Sequence, residues 1–144
     1  MKLLTKTSRS CGAVGPKAVV PKKVLTLLQS GTVLRSILDL GAGKDALHAA
    51  WLRDQGYEVD AYDIGENNVP GIHVPNIKYG KYALVYCSNV LNIQTSITDL
   101  NNLLYSVVCA LEPRGIFVCN YPKSPRKMPE LSDLDLDWWL RSGF

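Results

Sequence analysis

Two aspartates and two glycines near the middle of the chain have the types and spacing of a nucleotide-binding site. Asp39 lies in an apolar run that leads into Gly41 and Gly43, and Asp63 follows twenty positions after Gly43, at the end of a second apolar run. Glycines let a backbone pass close beneath a ligand, where a Cβ would clash. A carboxylate at the position of Asp63 can accept hydrogen bonds from both hydroxyls of a ribose. The spacing therefore predicts a site for a ligand that contains a nucleoside.

The elements around these residues follow the order of a parallel α/β sheet. Residues 34–40 predict a first strand, residues 45–55 predict a helix that stops at Gly56, and residues 58–63 predict a second strand. A strand, a glycine turn, a helix and a second strand make half of a nucleotide-binding sheet. The helix would direct its free N–H groups towards the same ligand.

The pattern after the second strand extends this sheet. Segment 64–81 is rich in glycine, proline and asparagine, so it has room for a short strand at 72–74 but for no full helix. Residues 82–88 form a nearly continuous apolar run, which is typical of a strand covered on both faces. Apolar residues recur with helical spacing over 96–111, and a turn leads from there into a last strand at 116–120.

The two ends of the chain have weaker signals. Residues 1–15 show no periodicity and predict a loop-like basic arm. The helix after it begins at Pro16 or Pro21 and ends at Gln29, with proline suited to its first turn. A loop rich in proline and lysine precedes a predicted last helix at 132–142.

Bulk composition is that of a folded protein with one domain, residues 1–144. The chain is 47% hydrophobic and 20% charged, which is ordinary for a globular protein. No apolar run approaches the roughly 18 residues of a membrane span, and the N-terminus has no signal-peptide core. The four cysteines lack paired metal-ligand spacing, so we expect reduced thiols, no metal site and a cytoplasmic location.

The net charge of +3 conceals an asymmetry along the chain. Segment 1–38 contains seven basic residues and no acid, whereas segment 39–112 carries nine acids against four bases. Basic residues beside a ligand site can hold a polyanion, which makes nucleic acid a candidate partner. The alternative is a solvated surface that only aids solubility. The candidate contact residues are Lys2, Lys6, Arg9, Lys17, Lys22 and Lys23.

Four segments in order resemble the motifs of class I S-adenosylmethionine-dependent methyltransferases, including small phage-type and bacterial members. They are ILDLGAGKD at 37–45, the acid Asp63, KYALVYCSNVLN at 81–92 and LEPRGIFVC at 111–119. The resemblance implies a reduced three-layer Rossmann-like α/β fold, S-adenosyl-L-methionine as cofactor and methyl transfer to an acceptor. It leaves the acceptor unidentified, with nucleic acid slightly favoured by the basic arm. A viral member would work in the host cytoplasm.

The resemblance also assigns site residues. Asn89 is the candidate catalytic residue, because an amine or hydroxyl acceptor needs a proton acceptor that Asn89, a backbone carbonyl or water could supply. The other chemical need is alignment of acceptor, methyl carbon and sulfur. Whether His48 and His73 are structural or functional stays open. The candidate cofactor-binding residues are Asp39, Gly41, Ala42, Gly43, Asp63, Ile64, Ser88 and Asn89.

One departure from the family concerns the C-terminal edge of the sheet. Family members normally end with an antiparallel hairpin, whereas this sequence stops at Phe144, where that hairpin would begin. We therefore expect a bare edge at 116–120, which is an association site unless it is covered. Residues 131–144, which include Trp138 and Trp139, would fold back over that edge or exchange within a homo-oligomer.

Two other functions compete with methyl transfer. The protein could bind S-adenosylmethionine in order to cleave or sense it, or as an inactive methyltransferase-like subunit. A nicotinamide oxidoreductase is the more distant alternative, because Lys44 and Asp45 follow Gly43 where a dinucleotide site needs a third small residue. The fate of a labelled methyl group separates transfer from binding alone.

Overall fold

The computed structural model describes residues 20–31, 36–88 and 90–119. It contains a four-stranded parallel sheet in the order β2-β1-β3-β4. The strands are β1 (Ile37–Leu40), β2 (Val59–Tyr62), β3 (Tyr82–Cys87) and β4 (Leu111–Cys119). The helices are α1 (Lys22–Gln29), α2 (Leu47–Asp54) and α3 (Ile97–Ala110), with 3₁₀ turns at Gly65–Asn67 and Leu91–Ile93. The predicted reduced Rossmann-like α/β fold is confirmed.

Alternating side chains of β1 divide the interior into two cores. Ile37 packs with α1 and α2 on one face, whereas Leu38 and Leu40 pack with α3 on the other. All six residues of β3 are buried, as expected of a strand covered from both sides. The helices therefore lie on both faces of the sheet, and together the helices and the sheet form three layers. Each fully buried Leu or Ile contributes about 1.5–3 kcal/mol to this packing.

The longest helix, α3, begins where the sequence provides a cap. The Ser96 side chain accepts a hydrogen bond from the Asp99 N–H at 3.1 Å, and Asp99 lies in the first turn, where the helix dipole favours a negative charge. Its buried residues recur with helical spacing from Leu100 to Ala110. The chain then turns through Arg114, whose φ is 67°, into the main part of β4.

The predicted strand at 72–74 is wrong. The structure has only an isolated bridge between Pro70 and His73, together with one hydrogen bond from the Val74 N–H to the Ala61 carbonyl at 2.8 Å. The sharp turn at Gly71 and the lack of an N–H on proline leave too few donors for a ladder. Segment 64–81, all of which is described, contains one 3₁₀ turn and no α-helix, in agreement with the prediction.

Other predicted boundaries differ by a few residues or lie outside the described ranges. The first strand begins at Ile37, and the first helix begins at Lys22 after Pro21, the second of the two predicted starts. The loop-like arm at 1–15 and the last helix at 132–142, with its two tryptophans, lie outside the described residues.

An apolar strip runs along the outer edge of the sheet. Among the described residues, β4 pairs only with β3, so its other edge has no strand beside it. Beside that edge a groove of about 260 Å³ lies between α3 and β4. Unpaired edges and apolar grooves of this kind are normally covered in native proteins. The groove is lined by Leu104, Val107, Val108, Leu111, Gly115, Ile116 and Phe117.

We predict that deletion of residues 131–144 causes aggregation or a lower melting temperature. These residues are expected to cover the open edge of β4 and the apolar groove beside it, and the deletion would expose both. Light scattering after size exclusion and a thermal melt would measure both effects. Replacement of Trp138 and Trp139 by Ser should act in the same direction. Replacement of Asp133 and Asp135 by Asn is the matched control and should have little effect. A deletion variant that remains monomeric and melts with the full-length chain would contradict the prediction.

Candidate functional site

Parallel pairing brings the carboxyl ends of β1, β2 and β3 to one edge of the sheet. The loop Gly41–Gly43 follows β1, Asp63 follows β2 and Ser88 follows β3. The N–H groups of Gly41 and Ala42 both donate to the Tyr62 carbonyl, at 2.9 and 3.1 Å, which ties the loop to the end of β2. Ligands of open α/β sheets bind at this edge. The structure therefore brings most of the predicted cofactor residues together.

Asp63 is the residue that joins the glycine loop to β2. Its Oδ2 accepts a hydrogen bond from the Gly43 N–H at 2.8 Å, and its Oδ1 accepts one from the Ile64 N–H at 2.7 Å. Each of the two carboxylate oxygens is therefore held by a backbone N–H group. The residue is only 1% exposed. A ligand that reaches Asp63 must therefore displace some of the residues that cover it.

His73 contacts the same glycine from the segment after β2. Its Nε2 lies 2.7 Å from the Gly43 carbonyl oxygen, and its Nδ1 accepts a hydrogen bond from the Val69 N–H at 3.0 Å. A carbonyl can only accept, so these partners assign the proton to Nε2. His73 as a whole is 6% exposed. Sequence reasoning left the role of His73 open, because the contact joins residues thirty positions apart and has no local signal.

The space beside Gly41 is occupied by a side chain from the segment after β3. A Cβ at Gly41 would lie 2.5 Å from a methyl carbon of Val90, and the φ of Gly41 is 78°. Glycine is thus required here by the packing of Val90 and by the backbone conformation. The sequence predicts close approach of a ligand at this glycine, whereas in the structure Val90 lies beside it.

The N-terminus of α2 lies just beyond the glycine loop. Ala46, at its N-cap, has a left-handed φ of 45°, and no described side chain caps the helix. The first turn also contains no acidic residue. The first N–H groups of a helix have no partner within the helix, so they and the positive end of the helix dipole suit an anionic group.

Asp39 is buried within the sheet, on the side of α1 and α2. It pairs in register with Ala61 and Tyr86, and it is 0% exposed. Within the described residues, neither its oxygens nor the Tyr86 hydroxyl completes a hydrogen bond of ordinary geometry. Burial raises the pKa of Asp39 to about 7; the nearby Tyr86 hydroxyl opposes the shift, and the charge of Asp63 adds to it.

The other predicted residues have plainer environments. Ile64 is half-buried against the core on the α3 side, and Ser88 is half-buried at the end of β3. Asn89 lies outside the described residues. His48 is buried, and desolvation lowers its pKa. Burial raises the pKa of the Cys119 thiol to about 11, so this group is not a thiolate nucleophile at neutral pH.

The described residues offer neither a metal-ion cluster nor a membrane-spanning helix. They contain no group of three or more His, Cys, Asp or Glu side chains that could hold a metal ion. No helix among them is both long and apolar enough to cross a membrane.

We predict that Asp39→Asn stabilises the ligand-free protein above pH 7. The folded-state pKa of about 7 exceeds the ordinary value of 3.8, so wild-type stability falls as pH rises between these values and then stays low. The variant should therefore gain on the order of a few kcal/mol at pH 8 and nothing near pH 4. Urea unfolding at several pH values would measure the difference. Glu66→Gln, an exposed control, should lack this pattern, and an Asp39→Asn protein less stable than wild type at pH 8 would contradict the prediction.

The comparisons with known proteins agree with this geometry. A family model described as a methyltransferase domain matches residues 16–142, which include the glycine loop, Asp63 and all four strands. No curated protein and no solved structure gives a significant match. The family match covers most of the chain, and the parallel sheet has the order of elements that the family resemblance implied. The chain therefore belongs to the methyltransferase-domain family of class I S-adenosylmethionine-dependent methyltransferases.

Proposed function

We propose that this protein binds S-adenosyl-L-methionine at the edge formed by Gly41–Gly43 and Asp63 and transfers its methyl group to an acceptor. The family match supports methyl transfer in general. The observation that carries the cofactor assignment is the Asp63 carboxylate, 2.8 Å from the Gly43 N–H at the end of β2. A carboxylate at this position of a nucleotide-binding sheet suits the two hydroxyls of a ribose.

The residues present fit the other parts of this cofactor. The uncapped N-terminus of α2 suits the carboxylate of the methionine part. Ile64, next to Asp63, offers apolar surface for the adenine. When bound, the cofactor supplies a methyl group on a sulfonium, so the chain needs no nucleophile of its own. Because Asp63 is 1% exposed, binding requires movement of the residues that cover it.

Alignment and proton transfer are the tasks that remain for the chain. The glycine loop and Asp63 would hold the nucleoside and thereby direct the methyl group towards the acceptor. Asn89, next to Ser88 after β3, is our proposed catalytic residue. Its amide oxygen would accept a hydrogen bond from an acceptor amine or hydroxyl and so orient the attacking lone pair, and the proton released on methylation would pass to water. A backbone carbonyl or water would take this role if Asn89 does not.

We propose that the methyl acceptor is a nucleic acid and that the protein acts in the cytoplasm. The support is the acid-free, basic segment 1–38, of which Lys22 and Lys23 are described, exposed residues of α1. Clustered cations of this kind hold phosphates and release counterions.

We predict that S-adenosylmethionine and S-adenosylhomocysteine raise the melting temperature, whereas NAD does not. A ligand at about 100 times its Kd adds roughly 2.7 kcal/mol of stability. For a domain of this size that is a shift of several degrees. Differential scanning fluorimetry would measure the shift for each ligand. Equal stabilisation by NAD, or none by either S-adenosyl compound, would contradict the cofactor assignment.

We predict that a labelled methyl group moves from S-adenosylmethionine to DNA or RNA. Binding to duplex DNA should weaken with salt, with a slope in the double-logarithmic plot of about 0.9 per contacted phosphate. Lys22→Gln with Lys23→Gln should reduce that slope and leave the affinity for S-adenosylhomocysteine unchanged. Lys78→Gln, an exposed lysine elsewhere in the chain, is the control.

The destination of the label decides among the alternatives. Label that appears in protein or in small molecules would contradict the nucleic-acid acceptor. Label that stays in the bound cofactor or its cleavage products, with every acceptor class present, would contradict methyl transfer and favour a protein that senses or cleaves S-adenosylmethionine.

A further inference from the structure

The backbone at Gly43 is held on two sides by the segment that follows β2. Its N–H donates to Asp63 Oδ2 at 2.8 Å, and its carbonyl accepts from His73 Nε2 at 2.7 Å. Both contacts are buried. Gly43 has a φ of 78° and carries no Cβ, so its intrinsic conformational freedom is high. Two opposed hydrogen bonds restrict that freedom at the last residue of the proposed cofactor loop.

Segment 63–74 has its own internal hydrogen bonds, which do not involve the contact between His73 and Gly43. The Asn68 side-chain amide donates to the Asp63 carbonyl at 2.9 Å and to the Val74 carbonyl at 3.1 Å. The Val69 carbonyl accepts from the N–H groups of Ile72 and His73, at 3.0 and 2.9 Å. These bonds make the turn and join the ends of the segment. The contact of the imidazole with Gly43 is therefore an additional bond, directed at a loop thirty residues away.

We propose that His73 is a positioning residue for the cofactor, acting through Gly43 on Asp63. By holding the Gly43 carbonyl, the ring sets the direction of the Gly43 backbone, whose N–H in turn fixes Oδ2 of Asp63. The Ile64 N–H fixes the other oxygen. The carboxylate plane is then set before a ribose reaches it. This inference rests on the proposed function, since Asp63 is there the ribose ligand.

Two substitutions by amide side chains test the contacts of the two ring nitrogens separately. In His73→Gln the side-chain amide reaches about as far as Nε2 and can still donate to Gly43. In His73→Asn the shorter side chain can replace only the Nδ1 contact with Val69. Asn68→Ala is the matched control, because it weakens the closure of the segment and leaves the His73 contact in place.

The affinity for S-adenosylhomocysteine, measured by calorimetry, tests the proposal. We expect a loss of about tenfold or more for His73→Asn, and about threefold or less for His73→Gln and Asn68→Ala. In a double-mutant cycle with Asp63→Asn, the His73→Asn loss should largely disappear, because the ring acts on the cofactor only through the Asp63 carboxylate, which is then already absent. Faster exchange of the Gly43 amide hydrogen in ligand-free His73→Asn than in His73→Gln should accompany the loss. If His73→Asn does not fold, added imidazole should restore the affinity of His73→Ala.

Several results would overturn the proposal. Wild-type affinity in His73→Asn, an equal loss in Asn68→Ala, or a fully additive cycle would make His73 a residue of the local fold only. In each of these cases the wild type still binds, so the proposed function stands. A wild type that binds no S-adenosyl compound overturns the proposed function, and with it the cofactor role of His73.

Discussion

The hydrogen bond between Asp63 and Gly43 is the constraint on which the candidate site depends. It joins the ends of two neighbouring strands, β1 and β2, at the edge where ligands of parallel sheets bind. It also places a carboxylate directly beside the glycine loop. Without it, the loop and the carboxylate would belong to two separate turns.

The surrounding chain supports this bond from both sides. His73 holds the carbonyl of the same glycine from the segment after β2. Val90, after β3, packs against Gly41 so closely that a Cβ there would lie 2.5 Å from its methyl carbon. The segments that follow β2 and β3 thus both contact the loop that follows β1. The same packing buries Asp63, so the arrangement that orders the carboxylate also restricts access to it.

Local patterns predicted the parts of the fold that have local causes. The glycine loop, the buried run of β3 and the capped, periodic α3 were all recognisable, because each follows from spacing within a few residues. The strand at 72–74 was predicted wrongly, because the turn at Gly71 and the prolines without an N–H leave too few donors for a ladder.

The contacts that build the site were harder to predict. The His73 contact with Gly43 and the packing of Val90 on Gly41 join distant parts of the chain. No local period signals such contacts, because only the assembled sheet brings their residues together. Asp63 was predicted as a ribose ligand, but its second task of fixing the loop became visible only in the structure. The role of Asn89 remains a prediction from the family resemblance.

Calorimetric binding of S-adenosylhomocysteine to wild type and to Asp63→Asn tests the central claim most directly. The substitution keeps the size of the side chain and removes its charge, and hydrogen bonds to charged groups are worth about 1.5–3 kcal/mol each. The account predicts affinity at least tenfold weaker, with ligand-free unfolding still cooperative and Glu66→Gln binding like wild type. Equal affinity in wild type and Asp63→Asn would contradict it, because the carboxylate would then not be the contact that holds the nucleoside.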